Sequence, residues 1–75
     1  MSQDNFRDPG GNKPYHLTQF ISLVNSLNIP QSARNNMIRE TMQMMGAEIE
    51  EWTETLKRHQ EQDPNIIAMI GQEWQ

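Results

Sequence analysis

The sequence MIRETMQMMGAEIEEW, residues 37–52, holds four of the six methionines of this 75-residue chain, and the fold prediction depends on how they are placed. Around it, apolar or aromatic residues recur at alternating steps of four and three: Ile38, Met42, Met45, Ile49, Trp52, Leu56 and His59. This is the a/d spacing of a coiled coil, which forms a seam along one helix face. The spacing crosses Gly46 without a change of register, although a glycine inside a helix costs about 1 kcal/mol relative to alanine. We therefore predict one long helix over residues 31–61.

A shorter helix is predicted on each side of the long one. An apolar stripe at helical spacing predicts a first helix over residues 16–28, and Pro30 cannot continue it. Ser32 is the predicted N-cap of the long helix, with Pro30 at the first helical position as the alternative. Asp63 as a cap and Pro64 at the first helical position predict a last helix over residues 64–74.

The chain is thus predicted to be all-α, with a short, a long and a short helix. Residues 1–14 contain proline and glycine without periodicity and are predicted to be a flexible arm, which leaves residues 15–75 as one small domain. The first helix should pack on the N-terminal half of the long helix and the last helix on its C-terminal half. The two would meet near Gly46, where no side chain stands in the way. The methionines then fill gaps where helices converge.

Size and composition predict a homodimer. A chain this short usually buries a core worth only about 3–5 kcal/mol, and without cysteine it has neither disulfides nor thiolate zinc sites. One layer of short helices cannot cover both flanks of the seam. The predicted dimer or helix-packing seam consists of Ile38, Met42, Met45, Gly46, Ile49, Trp52 and Leu56.

Charge is distributed unevenly along the chain. Residues 1–39 carry four basic and two acidic side chains, and residues 40–75 carry two basic and eight acidic ones, giving +2 and −6 and a total of −4. An acidic second half repels phosphate backbones and suits a basic protein surface. This pattern does not favour nucleic acid as a partner.

Neither catalysis nor a metal site is predicted. The sequence has no nucleophile–base pair, no phosphate-binding glycine loop and no zinc signature, so we expect neither an enzyme nor a cofactor. Thioethers suit Cu(I), but Met42 and Met44 would point to nearly opposite sides of a helix. The carboxylates of Glu51 and Glu54 lack a second acidic pair, because the last helix offers only Glu73.

Binding to another protein is the predicted function. Methionine-rich and tryptophan-bearing faces form adaptable contact surfaces, and the candidate partner-binding residues are Glu48, Glu51, Glu54 and Trp74. Size and acidity are those of small inhibitors or adaptors of the phage, antitoxin or immunity type, by analogy and not by a motif.

Two alternatives remain open at this point. A helix-turn-helix-like segment over residues 17–40, with Arg34 and Arg39 on its second helix, would suit a DNA-binding transcriptional regulator. Against it stand the length of the predicted long helix, the acidity of the chain, and Arg34 at a position that such motifs bury. The other alternative is a structural assembly subunit. The expected location is the cytoplasm, or the host cytoplasm for a viral protein, because the longest apolar run, residues 66–70, is far too short to span a membrane.

Overall fold

The computed structural model describes residues 12–75, and this part of the chain is 86% helical, with four α-helices and no strand. The helices are α1 (Lys13–Ser26), α2 (Gln31–Glu40), α3 (Gly46–Gln62) and α4 (Pro64–Trp74), and a 3-10 turn (Thr41–Gln43) follows α2. The predicted all-α class is confirmed. Most of the predicted flexible arm, residues 1–11, lies outside the described residues.

The first helix begins earlier than predicted. α1 starts at Lys13 and includes Pro14 in its first turn, so residues 13 and 14 are not part of an arm. Proline is tolerated there because the amides of the first turn have no partner inside the helix. The His16 amide donates to the Asn12 carbonyl at an N···O distance of 3.0 Å and closes this turn.

The linker between α1 and α2 is anchored in the core. Its residue Ile29 is buried, and Pro30 has extended backbone angles with ψ at 151°. The Pro30 carbonyl accepts a hydrogen bond from the Arg34 amide at 3.1 Å. Pro30 is therefore the cap residue of α2, and both predicted assignments, Ser32 as the cap and Pro30 at the first helical position, are wrong.

The predicted single helix over residues 31–61 is also wrong, because the chain bends between α2 and α3. Met44 and Met45 have extended backbones, with ψ angles of 153° and 160°. Gly46 is consequently the first residue of α3 and not the middle of a helix. The heptad spacing matches the buried face of α3 at Ile49 and Leu56, but it contains no signal for the bend.

Local hydrogen bonds satisfy the two helix ends at this bend. The Thr41 hydroxyl donates to the Ile38 carbonyl, and the Met44 amide donates to the Thr41 carbonyl at 3.1 Å. On the other side, the Met45 amide donates to the carboxylate of Glu48 at 2.8 Å. A helix can stop here at small cost because its unpaired end groups find these partners.

The bend changes which helices are neighbours. α1 packs mainly along α3 and not, as predicted, on the first half of a long helix. α4 packs on α3, as predicted for the second half, and also on α2. His16 lies beside Glu50 and Phe20 beside Trp52, so α1 and α3 run in the same direction. The bend is the reason, because it returns α3 to the side of α1.

All four helices and the α1–α2 linker contribute to one core. Its buried apolar side chains are Phe20, Val24, Leu27, Ile29, Ala33, Met37, Ile49, Leu56 and Ile67. Three aromatic rings join the helices across it. The Phe20 and Trp52 centroids are 4.7 Å apart, and those of Trp52 and Trp74 are 5.4 Å apart, distances at which aromatic pairs attract beyond simple burial.

The predicted seam is only partly a packing seam. Ile49 and Leu56 are buried, and Ile38 and Trp52 are half-buried. In contrast, Met42 and Met45 are 57% and 50% exposed. Of the other methionines in this stretch, Met37 is fully buried in the core and Met44 is partly buried against it.

The tight glycine contact lies at Gly71 and not at the predicted helix meeting point, Gly46. A Cβ atom at Gly71 would lie 2.7 Å from Cγ2 of Ile29, so α4 approaches the α1–α2 linker closely only because this side chain is absent. Gly46 is buried at the start of α3, but α1 and α4 do not meet end to end over it.

Candidate interaction surface

The bend between α2 and α3 presents two large apolar side chains to solvent. Met42 lies in the 3-10 turn and Met45 caps α3, and half or more of each residue is exposed. The carbonyl of Met42 accepts a hydrogen bond from Nζ of Lys13 at 3.3 Å, which joins the bend to the start of α1. The backbone of this apolar site is therefore held in place while its side chains are exposed to solvent.

Three exposed glutamates continue from the methionines along α3. Met45, the N-cap of α3, and Glu48, Glu51 and Glu54 follow one another at steps of three, which makes successive residues neighbours on the surface of α3. Met42 precedes them on the other side of the bend, in the 3-10 turn. We call Met42, Met45, Glu48, Glu51 and Glu54 the methionine–glutamate ridge. The structure thus places the three predicted partner-binding glutamates along α3, with Met45 at its start and the exposed Met42 three residues earlier in the chain.

The charges of the ridge are largely uncompensated. Glu54 pairs with Lys57 at an N···O distance of 3.6 Å, and both side chains are about half exposed. Within residues 12–75, neither Glu48 nor Glu51 forms an ion pair. An exposed pair of the Glu54–Lys57 kind contributes only about 0.3–0.5 kcal/mol, so it leaves the ridge acidic and available to a basic surface.

Trp74, the fourth predicted partner-binding residue, makes its contacts inside the fold. Its ring packs against Trp52, and its backbone carbonyl accepts a hydrogen bond from the Asn36 side chain at 2.7 Å. An open groove of about 380 Å³ adjoins it between the C-terminal ends of α2 and α4. Trp74 therefore has a packing role, and its role in binding stays a prediction.

The cleft between α1 and α3 is small and polar. It has a volume of about 110 Å³ and is lined by Tyr15, His16, Gln19, Glu50, Thr53, Glu54 and Lys57. His16 Nε2 lies 3.9 Å from a Glu50 carboxylate oxygen, and the Thr53 hydroxyl donates to the Ile49 carbonyl. No group of three or more His, Asp or Glu side chains able to hold a metal ion occurs within residues 12–75.

Arg34 is engaged within the fold. One terminal nitrogen of its guanidinium donates to the Leu27 carbonyl at 3.1 Å and the other to the Gln31 side chain at 3.0 Å. The side chain therefore closes the C-terminal end of α1, where the helix dipole favours a cation. Of the two arginines on which the DNA-binding alternative relies, Arg39 is the exposed one.

Sequence reasoning assigned the ridge methionines to a buried seam, because the a/d spacing gives no signal for the bend that exposes them. Two further large apolar side chains, Tyr15 and Met69, are 55% and 64% exposed. Neither stood out from its sequence context.

Comparisons with protein-family models, curated proteins and solved structures found no match to this chain. In the part of the chain that the structure describes, every helix is too short or too polar to cross a lipid bilayer.

Proposed function

We propose that this chain is a non-catalytic protein-binding module, acting as a small inhibitor or adaptor, and that the methionine–glutamate ridge is its contact surface. The observation that carries the proposal is the exposure of Met42 and Met45 at the bend, with the Glu48 carboxylate bonded to the Met45 amide, on a chain of net charge −4. Large apolar side chains are costly to leave in water, and a cluster of them bordered by charge is typical of a protein contact.

The side chains of the ridge indicate what kind of surface the partner must have. The two methionines require an apolar pocket, and covering a half-exposed methionine contributes about 1 kcal/mol. The flexible thioether chain adapts to pockets of irregular shape. The carboxylates of Glu48, Glu51 and Glu54 require lysine or arginine on the rim of that pocket, which would steer and orient the partner. The partner is therefore a protein with an apolar pocket beside a basic rim.

The same proposal includes a homodimer. What supports it is the small size of the core together with the exposed methionines at the bend. A domain of this size usually needs additional burial to be stable. A second copy would provide it.

Affinity capture with surface variants tests the partner proposal. The immobilised full-length chain is incubated with extract from the cells that encode it, and retained proteins are identified by mass spectrometry. We expect a retained protein to be reduced at least about ten-fold by Met42→Ser with Met45→Ser, and equally by Glu51→Lys with Glu54→Lys. All four positions are exposed, so the variants should keep their helical circular dichroism spectrum.

The matched control is Glu61→Lys, an exposed charge reversal near the C-terminal end of α3 and outside the ridge. It should retain the partner at the wild-type level. Retention that is equal in wild type and both ridge variants would disprove the assignment of the surface. Retained material that disappears after nuclease treatment would favour the DNA-binding alternative.

A further inference from the structure

We propose that two copies of this chain exchange halves. In this dimer, residues 46–75 of each copy pack on residues 12–43 of the other, and residues 31–62 form one continuous helix. The inference rests on the homodimer proposed above and specifies how its two chains are arranged.

The tertiary contacts are distributed in the way that an exchange requires. The bend divides the described chain into one half with α1 and α2 and another with α3 and α4, and the packing of α1 on α3 and of α2 on α4 joins the two halves. Phe20 with Trp52, Asn36 with Trp74 and Ile29 with Gly71 are such contacts. Because none of them depends on the halves belonging to one chain, a second copy can supply every one of them.

The bend is a linker that can become helical. Pro30 caps α2 and Pro64 begins α4, and a proline prevents a helix from running through either of those linkers. Between α2 and α3 the linker residues are Met44 and Met45, with φ angles of −104° and −84°. Methionine is a good helix former, so rotation of two ψ angles is enough to straighten the chain.

The sequence around the bend is patterned for the straight form. In a continuous helix, Met42 and Met45 would lie on one stripe with Ile38 and Ile49. In the single chain the two methionines are instead exposed. In the exchanged dimer the two long helices pass each other at the bend, and their methionines can cover one another, so the second copy and the partner protein would compete for these side chains.

Hydrogen bonding also favours the straight form. A continuous helix pairs the amides of residues 44–48 with the carbonyls of residues 40–44, about five bonds that replace three. Straightening gives up the Met44 amide bond to Thr41, the Met45 amide bond to Glu48 and the Lys13 bond to Met42. The exchange is opposed by the loss of translational and rotational freedom when two chains become one particle. The dimer should therefore form as the protein concentration rises.

Substitutions at Gly46 test the straight helix in opposite directions. Alanine stabilises the interior of a helix relative to glycine, and the exchanged dimer contains two such helices, one from each chain. Gly46→Ala should therefore lower the dimer dissociation constant roughly ten-fold. Gly46→Pro suits the first position of α3, after the extended Met45, but blocks a continuous helix. It should keep the chain monomeric at concentrations where the wild type is dimeric, as measured by light scattering and sedimentation.

A second proline variant keeps this test valid, because Gly46 is buried and a proline ring there could interfere with folding. Ala47→Pro places the ring at an exposed second position of α3, where α1 already carries Pro14. Either proline variant that retains the wild-type helical circular dichroism spectrum serves the test. A folded proline variant that dimerises as the wild type does would overturn the exchange.

Cross-linking between chains decides whether a dimer is exchanged. The chain has no cysteine, so His16→Cys on α1 and Glu50→Cys on α3, side chains that meet across the two halves, can be labelled selectively. The two single variants are unfolded together, refolded together at dimer-forming concentration and treated with a short bis-maleimide. We expect a covalent dimer of twice 8.8 kDa in the mixture and far less of it in either variant alone.

The outcomes separate the exchange from the homodimer. If light scattering shows a dimer while the mixture is cross-linked no more than either single variant, two intact monomers associate. This result overturns the exchange but not the homodimer. A particle that stays monomeric up to millimolar concentration, also in Gly46→Ala, overturns both. Specific cross-linking that Gly46→Pro abolishes supports both.

Discussion

Gly71 on α4 lies directly against Ile29 in the α1–α2 linker. A Cβ atom at Gly71 would lie 2.7 Å from Cγ2 and 2.9 Å from Cβ of Ile29, with Cδ of Pro30 at 3.3 Å. Carbon atoms do not approach this closely, and Ile29 is only 6% exposed, so it has little room to move. Because there is no space for a Cβ atom at position 71, α4 can approach the linker this closely only with glycine there.

Gly71→Ala should destabilise the fold although alanine is the better helix former. Propensity alone would stabilise α4 by up to about 1 kcal/mol, whereas overfilling a packed contact costs about 1–3 kcal/mol. We expect the second effect to win and the free energy of unfolding to fall by up to about 2 kcal/mol. Urea denaturation followed by tryptophan fluorescence measures it. The control is Gln72→Ala, next in the chain but exposed, with an effect within about 0.5 kcal/mol; an increase in stability for Gly71→Ala would contradict the packing.

Arg34→Ala should lower the stability through loss of the contact at the end of α1. Its guanidinium donates to the Leu27 carbonyl and to the Gln31 side chain, and a hydrogen bond from a charged group contributes about 1.5–3 kcal/mol when it is shielded from water. Because the side chain is only partly buried, we expect a loss of about 1–2 kcal/mol in thermal or urea unfolding.

The matched control for Arg34 is Arg39→Ala on the same helix. Arg39 is exposed and donates to the Asn36 side chain at 3.2 Å, a surface contact whose loss should change the stability by less than about 0.5 kcal/mol. Equal effects of the two substitutions would mean that Arg34 does not close α1. A lysine at position 34 should restore the stability only in part, because it lacks the planar pair of donors.

Trp74→Ala should destabilise the fold if the aromatic contact with Trp52 holds α4 in place. Removing a fully buried tryptophan costs about 3–5 kcal/mol, and Trp74 is half-buried, so we expect about 2–3 kcal/mol. Trp74→Phe keeps an aromatic ring beside Trp52 and should cost less than half as much. Unfolding monitored by circular dichroism compares them. If Trp74→Ala leaves the stability unchanged, the residue does not pack on Trp52 in solution and its predicted role as a partner contact becomes the stronger one.

The sequence predicted helices wherever the information was local. Apolar periodicity located the first helix, and Asp63 with Pro64 marked the start of α4, where the Asp63 carboxylate indeed accepts from the Asn65 amide at 3.1 Å. Such features act over a few residues, so spacing and capping chemistry are sufficient to recognise them. The close contact at Gly71, in contrast, depends on which element lies opposite, and periodicity carries no such information.

The bend is the feature that sequence reasoning missed, and the ridge was missed with it. The heptad spacing from Ile38 to His59 is compatible with a straight helix and with two helices joined at Met44 and Met45. What selects the bent form in a single chain is the packing of α1 on α3, a long-range contact. The glutamates were predictable as an exposed face because charge on a helix usually faces water, whereas the exposed methionines were not.

The contrast between a buried and an exposed methionine gives the most direct test of the bent fold. Met37 is fully buried and Met42 is 57% exposed, although both lie in the same methionine-rich stretch and the heptad pattern assigns Met42, not Met37, to the seam. Met37→Ala should therefore lower the free energy of unfolding by about 2–5 kcal/mol, and Met42→Ala should change it by less than about 0.5 kcal/mol. Urea denaturation is measured at low micromolar concentration, with light scattering to identify the monomer, because the exchanged dimer proposed above would bury Met42 as well. The reverse order of the two effects in the monomer would mean that the long helix is continuous within a single chain and that the bend between α2 and α3 is absent in solution.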